Sequence, residues 1–192
     1  MTDFWLYLKL GLEHVLDLGG YDHILFLVAL SATYSFDSWK KLLIMVTLFT
    51  VGHTLSLVLA HYGVVALNGD YVEFLIPITI MIAAIFNLAN ARTGHSPAGS
   101  FVLWFITLFF GIVHGLGFAR YYSMISDDEG VVPLLEFALG VELAQVIVVM
   151  ITLILALIAW QFLKVNRRDW VLIVSAMVLG MAIPMLVDTW PF

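Results

Sequence analysis

The sequence predicts an all-α, polytopic transmembrane helix bundle of six or seven helical elements, forming one transmembrane domain over residues 1–192. Three observations carry that reading. The chain is 62% hydrophobic and 11% charged, with a mean hydropathy of +1.04, whereas a soluble domain is about 45–50% apolar and roughly 25% charged. Its apolar residues fall into runs long enough to cross a hydrocarbon core about 30 Å thick, which takes about 20 helical residues. The connections between those runs alternate in charge.

The elements follow in order. The first 35 residues hold two short apolar segments, roughly 4–18 and 21–34, split by Gly19-Gly20. A glycine pair breaks a helix. These segments read as two short crossing helices or a re-entrant hairpin, which is tolerated only where protein or water covers it. Longer runs follow at roughly 40–61, 72–91, 100–122, 132–163 and 170–189, the last with Pro184 and Pro191 near its end. Lys40-Lys41, Arg92 and the group Lys164, Arg167 and Arg168 mark one set of connections. The intervening connections carry only acids: Asp70, then Asp127, Asp128 and Glu129. By the positive-inside rule the basic set is cytoplasmic, which predicts a cytoplasmic N-terminus and an external C-terminus. Met1-Thr2-Asp3 lacks a basic n-region, so the N-terminus reads as part of the mature protein.

Composition also excludes. A formal charge of −6 argues against a nucleic-acid partner, which needs a basic footprint. The absence of cysteine removes disulfides, thiolate metal sites and cysteine nucleophiles. The expected partners are the lipid bilayer and a small cation; a homo-oligomer stays open.

Ionisable groups at membrane depth are costly and mark function. This chain carries Glu13, His14, Asp17, Asp22, His23, His53, His114 and Glu142 at such positions. On the predicted topology, His14, Asp22, His23, His53, His114 and Glu142 fall in the outer half of the membrane, from five different elements. The histidines played no part in assigning the topology, so the agreement points to one shared site. Imidazole and carboxylate suit a divalent transition metal such as nickel, cobalt or zinc, and the lack of thiolates disfavours a softer site.

Plainer roles compete. A lone His can hydrogen-bond a neighbouring helix. Asp22 stands where an N-cap would. Glu142 and Gln145, three apart, share a helix face and can form interhelical hydrogen bonds. Glu13 and Asp17 read as solvated near the surface, and His61 and His95 as helix-end or loop residues. Gly52, Gly111, Gly115, Gly117 and Gly140 flank the polar positions and read first as sites of close helix approach.

Four blocks carry a further signal: GLEHVLDLGGYDHILFLVAL (11–30), FTVGHTLSLVLA (49–60), FGIVHGLGFA (110–119) and FALGVELAQ (137–145). In that order they resemble the signature blocks of the HupE/UreJ membrane proteins. Val15 stands where many relatives have a proline after the histidine, and many relatives carry a cleavable signal. The resemblance implies a secondary nickel or cobalt permease in a bacterial inner (cytoplasmic) membrane, with His14, Asp22, His23, His53, His114 and Glu142 handling the metal. The residues alone leave a second class open, an intramembrane zinc-dependent hydrolase, because a catalytic zinc needs about three protein ligands and an open position. Whether the chain is an enzyme is therefore not decided at this level.

Overall fold

The structure is a computed structural model that describes residues 3–65, 68–93, 101–125 and 130–191. Among these residues all regular secondary structure is helical. It runs α1 (Asp3–Leu16), α2 (Asp22–Ser31), a 3₁₀ turn at Phe36–Ser38, α3 (Trp39–His61), α4 (Gly69–Thr93), α5 (Phe101–Ile125), α6 (Val131–Gln161) and α7 (Arg167–Asp188). Four described stretches are long and apolar enough to span a membrane: Phe36–His61, Gly69–Ala91, Val131–Gln161 and Arg167–Asp188. A multi-pass membrane protein follows directly.

α1 and α2 are short, as the glycine pair implies. At about 1.5 Å per residue, neither reaches across a bilayer. α2 is buried on nearly all sides, from His23 and Leu25 through Ser31, and packs against α4, α6 and α7. A helix that is apolar all round belongs in an interior. Asn87 of α4 fixes it from the side, its amide donating to the Ala29 carbonyl at 2.7 Å.

Glycine sets the closest crossings. Between hydrocarbon-embedded helices there is little hydrophobic drive, and small residues gain stability by bringing backbones together. α3 and α5 meet this way. A Cβ at Gly111 would strike the Phe49 carbonyl, one at Gly115 the His53 carbonyl and Ser56 hydroxyl, and one at Gly52 the Leu108 carbonyl. α1 and α6 cross at Gly11 and Gly140, each against the other helix's backbone. The packing role expected for these glycines is what the backbone distances show.

The register of these contacts makes α3 and α5 parallel and α1 and α6 antiparallel. All the histidines of interest therefore lie toward one end of the bundle. Lys40, Lys41, Lys164, Arg167 and Arg168 lie at the other. α7 starts cleanly because Asn166 caps it, its side chain accepting from the Asp169 amide at 2.9 Å. Pro77 inside α4 cannot donate to the carbonyl four residues back, which loosens that helix near Glu73. Residues 94–100 and 126–129, which include His95 and Asp127, Asp128 and Glu129, lie outside the described residues.

Candidate metal centre

Four helices deliver imidazoles to one place. His14 comes from the last turn of α1, His23 from the first turn of α2, His53 from α3 and His114 from α5. Ring centroids are 4.5 Å apart for His14 and His23, 5.5 Å for His14 and His53, 5.6 Å for His23 and His53, and 5.0 Å for His23 and His114. His23, His53 and His114 are each 1% exposed. The close α3–α5 crossing positions two of these rings, and the turn at residues 17–21 positions the other two.

The hydrogen bonds leave lone pairs over. The His114 Nδ1–H donates to the Phe110 carbonyl at 2.8 Å. A carbonyl only accepts, so the proton is on Nδ1 and the Nε2 lone pair is free. His23 Nδ1 pairs with Asp22 Oδ1 at 3.1 Å, again leaving Nε2. The Nε2 atoms of His14, His23, His53 and His114, and Nδ1 of His53, are buried without a hydrogen-bond partner. Buried polar atoms are normally satisfied, and several orphans facing one another call for a ligand. One nitrogen each from His14, His23 and His53 lies within 4.8 Å of the others. Tetrahedral coordination at about 2.0–2.1 Å would hold such nitrogens roughly 3.3 Å apart, so small ring movements would close the set on an ion.

Asp22 does not act as an N-cap. Tyr21 occupies that position without a side-chain cap bond, and Asp22 is the first helical residue. One of its oxygens holds His23; the other lies 4.0 Å from His114 Nε2. A carboxylate that orients an imidazole raises its basicity and fixes its tautomer. Asp22→Asn is expected to weaken metal binding by about 10–100-fold while leaving the stoichiometry at saturation unchanged; equilibrium dialysis against Ni²⁺ would measure it, and an unchanged affinity would remove Asp22 from the site.

Glu142 is not brought into this cluster. Its Oε1 accepts from the Thr47 hydroxyl at 2.7 Å, and Gln145 Oε1 accepts from Thr50 at 3.0 Å. Both are bonds across the α3–α6 interface, the plainer role open to that pair. The other polar residues divide as expected. Glu13 is exposed and pairs with Lys9 at 3.4 Å, and exposed Asp17 accepts from the Gly19 amide at 2.8 Å. Half-buried His61 packs on Tyr62 and Tyr122.

Sequence reasoning missed the walls. The His14 ring lies 3.8 Å from that of Phe118, and Phe49 and Phe26 flank His23 and His114. In a chain with 14 phenylalanines, nothing in the pattern separates these from lipid-facing ones. Glu73 was also missed. With His14, Asp17, Asp22, His23 and His114 it lines a cleft of about 200 Å³, yet near a helix start it reads as a surface residue. A larger cleft of about 570 Å³, walled by leucines, also reaches His14. His53 lines neither of these two clefts.

Seven packed helices among the described residues, with three buried imidazoles and the half-buried His14 converging from separate segments, define a polytopic membrane protein with a histidine cluster fit for a metal. The chain matches the family described as HupE / UreJ protein over residues 1–189, and it belongs to that family. No curated protein and no solved structure matches it.

Proposed function

We propose that the chain is a divalent transition-metal transporter of the nickel/cobalt type, with His14, Asp22, His23, His53 and His114 as its metal-handling set. The observation that carries this reading is the cluster of partnerless imidazole nitrogens, buried and reached by a cleft with acidic walls. Family membership supports it, since the family is associated with nickel and cobalt transport. Carboxylates at Asp17 and Glu73 would attract a cation, and the histidines would replace its water. Glu142, which accepts from Thr47 across the α3–α6 interface, is left out of this set. The basic end of the bundle is assigned to the cytoplasm of a bacterial inner membrane, so the histidines face outward, the C-terminus lies outside and the ion moves inward.

The test is Ni²⁺ and Co²⁺ uptake into proteoliposomes containing the purified chain. Saturable accumulation above empty vesicles, lost in a His23→Ala/His53→Ala variant, is the expected result. Wild-type vesicles that accumulate no more than empty ones would sink the proposal.

One observation favours a second reading, an intramembrane zinc hydrolase. The leucine-walled cleft ending at His14 and Asp17 would admit an amphiphile to a three-histidine ion with one open position. Zinc that resists chelator and does not exchange across vesicles would favour it.

A further inference from the structure

We infer that the ion leaves the histidine cluster along the α3–α6 seam, with Thr50 and Gln145 as the first polar step beyond the rings. This inference rests on the transport reading above and adds a route to it.

The argument begins with what lies beneath the rings. On the α2–α3–α5 side the way is filled by Phe26, Phe49 and Phe110, each no more than 2% exposed. Phe26 stacks on Phe49 at 5.0 Å and meets Phe110 edge-on at 5.3 Å. An ion cannot pass such a plug without losing every ligand. Several other interior polar side chains are committed locally. Thr79, Thr107 and Thr152 donate to carbonyls of their own helices, and Asn87 is held by α2.

The seam adds a bond between helices. On α3, Thr50 precedes His53 by three residues, about 4.5 Å of rise. That step moves about 60° round the helix, toward α6. There its hydroxyl lies 3.0 Å from the Gln145 amide oxygen and 3.3 Å from the Val46 carbonyl of its own helix, while the Thr47–Glu142 bond lies at the same depth on the exposed side of the seam. Gln145 is 0% exposed, and its amide nitrogen has no hydrogen-bond partner. A wholly buried, half-satisfied amide is poor structural glue and is free to turn its oxygen toward an arriving cation. The chemistry also runs in the direction release requires. Imidazole nitrogens hold these metals more firmly than hydroxyl and amide oxygens, and a conducting site must bind weakly enough to let go. Beyond Gln145 the same seam carries an apolar groove of about 180 Å³, from Val146 to Trp39, whose rim residues Trp39, Leu43 and Met150 are exposed.

The experiment uses the full chain with Ni²⁺ as probe. Thr50→Val and Gln145→Leu are compared with wild type for Ni²⁺ bound per chain in detergent and for uptake rate in proteoliposomes. Retained binding shows that each variant is folded. The maximal uptake rate is expected to fall about tenfold or more, with half-saturation little changed, as for a step after capture. Thr50→Ser, which keeps the hydroxyl, restores most of the rate. Unchanged maximal rates in both variants would overturn the route. Binding lost in parallel with uptake would also overturn it, since the pair would then only pack α3 against α6. A wild type that binds Ni²⁺ but accumulates none would refute the transport reading itself, a different result from either.

Discussion

His53→Ala is expected to abolish stoichiometric metal binding and with it any uptake. His53 is 1% exposed, and neither of its nitrogens has a hydrogen-bond partner, so little but a ligand explains its burial. Loss of a residue that merely orients a ligand costs about 10–100-fold in affinity, so loss of a ligand should cost at least about 100-fold. Elemental analysis of the purified variant after Ni²⁺ loading and desalting checks this. The control is His61→Ala, eight residues along the same helix and outside the cluster, which should load normally. If His53→Ala retained wild-type metal content, the cluster would be an aromatic packing unit and not a binding site.

The second large effect is expected at a residue with no side chain. Gly111→Val would drive a branched side chain into the Phe49 backbone, which cannot yield as a flexible side chain would. Overpacking costs about 1–3 kcal/mol and occasionally more. Relief requires α3 and α5 to separate, which pulls His53 away from His114. Both the thermal midpoint in detergent and the metal affinity should therefore fall. Gly180→Ala is the matched control. A Cβ there meets nothing within 4 Å, and alanine is favoured over glycine in a helix by about 0.5–1 kcal/mol, so stability should hold or rise. Equal losses in the two variants would mean that the α3–α5 crossing is not what positions the rings.

Much of this was legible in the residues. Hydropathy gave the long helices because a bilayer demands length. Gly19-Gly20 marked the break between the two short ones because few other residues tolerate such a turn. The histidines stood out because a polar group at membrane depth needs a reason. That five elements placed them at one depth followed from counting residues between charged connections. Boundaries were less exact. The structure ends α2 at Ser31 rather than at 34 and starts α4 at Gly69 rather than at 72, since fraying ends carry little hydropathy signal.

The sequence by itself determined the class of protein, a bundle of six or seven helical elements and the short set of residues able to bind a metal, because each depends on local composition and spacing along one chain. Only the tertiary structure decided which of that set meet. It joined His14, Asp22, His23, His53 and His114 and left Glu142 on Thr47. It gave Asp22 a role in orienting His23 in place of a cap, and it revealed Glu73 at the cleft and the phenylalanine floor. Those facts depend on the rotation and crossing of helices, set by where Gly52, Gly111, Gly115 and Gly140 let backbones touch. Depth can be read from position along a helix, but the direction a side chain faces is fixed only when a second helix packs against it.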